Sequence, residues 1–503
     1  MTGDLLGLRP MLYLKDFSRE GSLEVRRTSS ASPASKKVLV LTAATGGGHE
    51  AAGRAVRAEL EQAGYSVVMA DGLRTMSRTL DWLLVRGYEE QVRHTPGSMG
   101  AVFAVTSRKG VAAVIRGIVA LLFAGRLHKL LRREHPDLVV STYPLVTAAL
   151  GRLQGCGKLQ APVVAIIADY GVHPLWVTPE ADLHLVASRL SAGLARRAGG
   201  RASVARLPVA PAFYAAPARE EARAALRIPQ QAFVVLIVGG ALGVGDLEGA
   251  ARCAVGSGAY TVVVTGNNRR LEARLRTRFG ARKDVWVLGW TEEMPALMAA
   301  ADCLVQNAGG MTCIEAVEMG LPILLYNSVP GHGDLNVRIM ELAGSARQVH
   351  TAEELGEILK CAVRRETSLS VPNKEDAPTV STILGSLGRR RFSAPRTPPA
   401  PRVAAQGSGR RGSALSLAGS LLSRDGVLRG ESALIHQGLE ETLKTTAQKA
   451  RMRVAYPGSD RIFLVLLVGI LLLLVRVLSP RLRRAIQGVF SSVWVRSRRN
   501  TVY

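Results

Sequence analysis

Cysteine is scarce in this 503-residue chain: five in all, widely spaced, with no CxxC pair. That spacing argues against a disulfide framework or a zinc site and points to a reducing compartment. No long apolar stretch follows basic residues near the start, so no secretory signal is expected. The folded part is therefore predicted to stay in the cytoplasm. Aromatics make up only 5%, too few for a surface that stacks nucleic-acid bases. Acidic residues are outnumbered, which leaves a net charge of +25. That excess is uneven: residues 369–503 hold 22 Lys and Arg against 7 Asp and Glu. With an apolar run inside the same segment, the basic tail reads as a partner for an anionic membrane surface, not for nucleic acid. The sequence leaves the oligomeric state open.

Hydrophobic residues reach 47%, enough to fill two or three domain cores at this length. Residues 1–36 are polar, Ser- and Arg-rich towards their end, and are expected to be a disordered lead-in. KVLVLTAA, from Lys37, is an uninterrupted apolar strand of the kind covered on both faces. A helix follows, then YSVVMAD, a mostly helical stretch to His135, and the strands PDLVVSTYP, APVVAIIADYG and DLHLVAS. This alternation predicts a parallel, doubly wound α/β sheet over 37–210. Prolines near 207–218 break the pattern, and a second α/β series follows over 211–369. Residues 370–429 are Pro-, Arg-, Ser- and Gly-rich and are expected to be a disordered linker. The tail, 430–503, contains IFLVLLVGILLLLV, Ile462–Val475. Extended to about residue 478, this run predicts a membrane anchor.

Two glycine-rich turns carry the chemistry. The first, TGGGH, sets Gly46, Gly47 and Gly48 before His49 between a strand and a helix. The second, NAGGMTCIE, sets Gly309 and Gly310 before Thr312 and Glu315. Such turns present bare backbone N–H groups to an anion at a helix start, where the dipole favours negative charge. His49 at a helix N-terminus is expected to be neutral and able to accept a proton. Asp169 closes an apolar strand at the carboxyl edge of the sheet, positioned to pair with His49 or to take the proton itself. His173 and Trp176 lie on the loop beyond it. Gly239 and Gly240 follow another strand, and Glu315 lies one helical turn inside its helix. PGHGDLN supplies His332, Asp334 and Asn336. A capping or packing role competes with each of these functional readings.

TGGGH with ADYGVHPLW, then VTGNN, GWTEEMPALMAAADCLVQNAGGMTCIEAVEMGLPILLYN and PGHGDLN, resembles the monogalactosyldiacylglycerol synthase and processive diacylglycerol glucosyltransferase group. More distantly it is similar to the peptidoglycan N-acetylglucosaminyltransferase that acts on a lipid intermediate. The resemblance covers roughly 37–363. It implies a GT-B fold: two Rossmann-like domains facing a cleft, with a membrane-facing acceptor domain first and a UDP-sugar domain second. It implies an inverting hexosyl transfer from a UDP-sugar to a lipid hydroxyl, diacylglycerol in particular, with no metal and no further cofactor. His49 is then the base, assisted by Asp169. Gly239, Gly240, Asn267, Gly309, Gly310 and Thr312 bind the donor, Glu315 holds the ribose, and His332, Asp334 and Asn336 face the sugar. The TGGGH glycines, His173 and Trp176 belong to the acceptor side.

The chain departs from the family where PGQEEGN is usual and PGHGDLN stands, which bears on the identity of the sugar. Two rivals remain open at this point. One is an enzyme like the UDP-N-acetylglucosamine 2-epimerase, and the other is a degenerate, membrane-anchored protein that binds a nucleotide sugar without turnover.

Overall fold

The computed structural model describes residues 36–94 and 96–390. The lead-in to residue 35 and the tail at 430–503, with the anchor expected to about residue 478, lie outside the described residues.

The first sheet opens with β1 (Lys37–Thr42), whose Val38 to Leu41 are fully buried. β-branched and leucine side chains on both faces can be hidden only by helices on both sides, which is the parallel arrangement. Its partners are β2 (Ser66–Asp71), β3 (Leu138–Ser141), β4 (Val163–Ile167), β5 (Leu183–Val186) and β6 (Ala202–Val204). The order is β2-β1-β3-β4-β5-β6, with every pairing parallel and Val38 opposite Leu138. The order reverses between β1 and β3, and a crevice opens at their carboxyl ends.

The second sheet uses β7 (Val234–Val238), β8 (Tyr260–Val264), β9 (Val285–Leu288), β10 (Cys303–Gln306), β11 (Ile323–Tyr326) and β12 (Arg347–Val349). Its order, β12-β11-β10-β7-β8-β9, reverses between β7 and β10. This is a second doubly wound sheet, so the structure shows the GT-B architecture that the resemblance implies. Each motif turn follows one of the strands at a reversal. TGGGH follows β1, the Gly239–Gly240 turn follows β7, and Gly309–Gly310 follows β10.

One apolar cluster runs through both lobes, from Val38 and Val56 to Leu304 and Ile314. The chain then returns to the first lobe. Arg206 N–H donates to Pro378 O at 3.0 Å, beside a parallel bridge between Arg206 and Thr379. This corrects the expectation of a disordered linker from residue 370. Residues 380–390 form a helix whose Val380, Ile383 and Leu384 are buried. The helix lies against the one beginning at Gly48, and Ser381 N–H donates to Glu59 Oε1 at 2.6 Å. The Ser-, Gly- and Arg-rich surroundings hid that i, i+3, i+4 apolar spacing.

Candidate functional site

α1 (Gly48–Gln62) starts where TGGGH ends, with Gly47 as its cap in a left-handed conformation at φ 77°. A side chain at Gly47 would also press on Ala241 Cβ of the second lobe. His49 is the second residue of the helix. Its Nδ1 donates to the Thr142 carbonyl at 2.7 Å, since a carbonyl can only accept. Thr142 Oγ1 donates in return to the His49 carbonyl at 2.8 Å. The two bonds cross the crevice between β1 and β3 and fix the ring, with Tyr143 edge-on at 5.0 Å between centroids. In the neutral ring Nε2 is therefore the bare, proton-accepting nitrogen. Burial lowers the His49 pKa below the usual histidine value; the Asp169 carboxylate and the Thr142 carbonyl oppose the shift, and His332 adds to it.

Asp169 and His49 line one cavity. Asp169 does not supply the fixing bond of the histidine; the Thr142 carbonyl does. That partner was not foreseen, because a backbone carbonyl leaves no residue-type signal in a sequence. Asp169 instead accepts a bond at Oδ1 from Asn336 Nδ2, 2.8 Å away.

The cavity, about 460 Å³, lies between the lobes. One wall is apolar: Leu83 and Leu84 from α3 (Arg78–His94), and Met99, Val102 and Phe103 from α4 (Pro96–Thr106). Leu175 and Trp176 continue it. The opposite wall brings Gly240, Gly309, Gly310 and His332 from the second lobe. Gly46 and Gly48 line it as well, as does Gly239. At Gly310 only hydrogen fits: a Cβ would collide with the Ala168 carbonyl and stand 2.7 Å from Asp169 Oδ1. Gln306 Oε1 takes the Gly309 N–H at 2.8 Å. Helix geometry then leaves the N–H groups of the first turn of α13 (Gly310–Glu318) without intrahelical acceptors.

The remaining expected residues divide. His173 is buried; Leu175 N–H donates to its Nδ1 at 3.0 Å, and its Nε2 lies 3.2 Å from Thr106 Oγ1. Desolvation lowers its pKa to about 4. It fastens the loop after β4 to α4 as a neutral group. Glu315 lies half-buried on α13, and desolvation pushes its carboxyl up to about 8. Neither Glu315 nor Thr312 is among the residues lining this cavity. Asn267 borders a separate hollow of about 970 Å³ beside Gly245 and Arg269. Asp334 accepts from Ser328 Oγ at 2.6 Å and from Gly331 N–H at 2.9 Å, so both its oxygens hold its own loop.

Asn336 departs furthest from expectation. It is 1% exposed, and its amide is spent on protein groups instead of facing the cavity. Among the described residues, no group of three or more His, Cys, Asp or Glu gathers as metal ligands do.

Residues 49–205 match the family model of monogalactosyldiacylglycerol (MGDG) synthase, and residues 218–360 that of glycosyl transferases group 1. The resemblance read from the motifs stands. A processive diacylglycerol β-glucosyltransferase of Bacillus pumilus is 26% identical over 349 residues, which is 66% of this chain and 88% of that protein. A probable chloroplastic monogalactosyldiacylglycerol synthase of Nicotiana tabacum is 31% identical, over 60% of each chain. The match thus spans under two thirds of the tobacco protein. Among solved structures, Acinetobacter baumannii MurG aligns with 71% of this chain and 99% of its own, at 15% identity and a TM-score of 0.46. The two family matches meet at the cleft: the first carries His49 and Asp169, the second the glycine turns that face them.

Proposed function

We propose that the protein transfers a hexose from a UDP-sugar to the free hydroxyl of diacylglycerol, with inversion at the anomeric carbon. The observation that carries this reading is the two-faced cavity. An apolar wall from α3 and α4 suits the acyl-bearing acceptor and leads to His49, whose bare Nε2 is the only ring nitrogen left to take a proton. The glycine turns opposite suit a diphosphate.

In this reading the acceptor hydroxyl oxygen attacks C1 of the sugar as its proton passes to His49 Nε2. The bond from C1 to the diphosphate oxygen breaks, and UDP leaves with the electron pair. N–H groups at the start of α13, together with the helix dipole, stabilise the departing charge. No metal or other cofactor enters the scheme. Asp169, close to His49, stabilises the imidazolium that forms. That the Bacillus relative is a β-glucosyltransferase favours inversion, since a β-product from an α-linked nucleotide sugar requires it.

A site at the cytoplasmic membrane face fits α5 (Lys109–Glu134). By length and composition it is the one described helix able to span a bilayer. It buries Leu127 and Leu131 against its own lobe and exposes Val114 and Leu121. An interfacial helix is built this way. The test is incubation of the detergent-solubilised protein with labelled UDP-sugars, with and without diacylglycerol. A lipid-dependent glycolipid on chromatography is the expected product. Lipid-independent conversion of UDP-N-acetylglucosamine, or UDP-sugar binding without any product, would overturn the reading.

A further inference from the structure

We infer that Asn336 is a positioning residue, a latch that ties the donor turn of the second lobe to Asp169 and the acceptor loop of the first. The inference rests on the proposed transfer reaction for its consequence, but its geometry stands apart from that reaction.

Asn336 lies in α14 (His332–Leu342), which packs at the lobe boundary. Its Nδ2 donates to Asp169 Oδ1 at 2.8 Å and to the Ala308 carbonyl at 2.8 Å. Its Oδ1 accepts the Gly171 N–H at 2.7 Å. Both amide protons and the carbonyl oxygen are thus engaged, at 1% exposure. A buried primary amide is costly unless it is satisfied in this way, and losing its partners exposes that cost.

The three partners are mechanistically chosen places. Ala308 immediately precedes Gly309 and sits at φ 67°, a left-handed conformation that non-glycine residues seldom adopt. Asp169 is the carboxylate beside the base. Gly171 begins the loop carrying His173 and Trp176. One side chain therefore sets the distance between the diphosphate turn and the base, and it does so only when the lobes are closed. Opening the cleft breaks the Asp169 and Gly171 bonds while leaving the Ala308 bond within the second lobe. The latch reports closure to both halves of the site.

The experiment compares the full chain with Asn336→Ala, using fluorophores on α1 and on the helix Arg269–Phe279 to follow lobe separation, with UDP as the added ligand. The variant is expected to show lower energy transfer at saturating UDP and a UDP Kd within about threefold of wild type. Its kcat should fall on the order of 10–100-fold with donor KM little changed, as a misplaced but bound substrate does. In an Asp169→Ala background the same substitution should cost clearly less than in the wild type, because one of its three bonds is already gone while those to Gly171 and Ala308 remain to be lost. If Asn336→Ala does not fold, Asn336→Ser keeps a shorter donor and acceptor and should give a partial loss of the same kind. A loss confined to donor KM with kcat intact would make Asn336 a donor ligand and overturn the latch. So would fully additive losses with Asp169→Ala, or unchanged energy transfer. Absence of any transfer in the wild type would remove the function reading, while the fluorescence comparison would still decide the latch.

Discussion

His49 and Thr142 are joined by two hydrogen bonds, Nδ1 to carbonyl at 2.7 Å and hydroxyl to carbonyl at 2.8 Å, across the reversal point of the first sheet. The pair ties the start of α1 to the end of β3, so the ring cannot turn its free nitrogen away from the cleft. His49→Ala is therefore expected to reduce transfer by on the order of 10²–10⁴-fold, with UDP affinity unchanged by calorimetry. Retention of most of the rate would remove the base assignment.

The pH profile follows from the same pair. Burial lowers the His49 pKa, so the ring is neutral at pH 7, and kcat/KM should fall only as pH drops through a value below the usual 6.5. Asp169 raises that pKa by its charge. Asp169→Asn keeps a hydrogen-bond acceptor but loses the charge, so the acid limb should move to still lower pH. A limb that moves upward, read from initial rates, would contradict this electrostatic account.

Glu315 carries a second pH signature. Its carboxyl is held at about 8, well above an unfolded glutamate, so the native state binds this proton more tightly. That contribution is present below the unfolded pKa and is lost as pH rises towards 8. Glu315→Gln should accordingly flatten the loss of Tm between pH 5 and 8 while weakening UDP binding. Thermal scans and calorimetry in the same buffers separate the two effects; an unchanged UDP Kd would detach Glu315 from the donor.

Gly310 faces the Ala168 carbonyl with no space for a methyl group. Gly310→Ala should push the lobes apart, at roughly 1–3 kcal/mol for overpacking, and cost on the order of 10²-fold in kcat. Small-angle scattering should show the expansion. A normal rate in a closed molecule would mean that the contact relaxes locally.

Val114 and Leu121 are 50% and 51% exposed on α5. If that face enters a bilayer, Leu121→Asp should weaken vesicle flotation about tenfold with the tail unchanged, since burying one such side chain contributes roughly 1.5–3 kcal/mol. Equal flotation would assign membrane binding elsewhere in the chain.

The strands and turns were legible because their signals are local. An apolar run such as Val38–Leu41 has few options besides a covered parallel strand, and a glycine turn after it has few besides a helix start. The helix at 380–390 was missed because its apolar spacing sits in a Pro- and Arg-rich composition. Its stability comes from a surface on α1 more than 300 residues earlier. Thr142 was missed for another reason: it acts through its main chain, which every residue shares.

The sequence by itself determined two doubly wound lobes, the glycine turns at their edges, and the histidine that follows the first turn, because short-range periodicity and turn chemistry dictate these. Tertiary structure alone decided which groups the side chains spend their hydrogen bonds on. It turned the His49 ring towards the cleft through a backbone carbonyl, and it drew Asn336 away from the cavity into the boundary between lobes. Such choices depend on distances between segments about 100 to 170 residues apart, set by how two sheets pack and not by any local pattern.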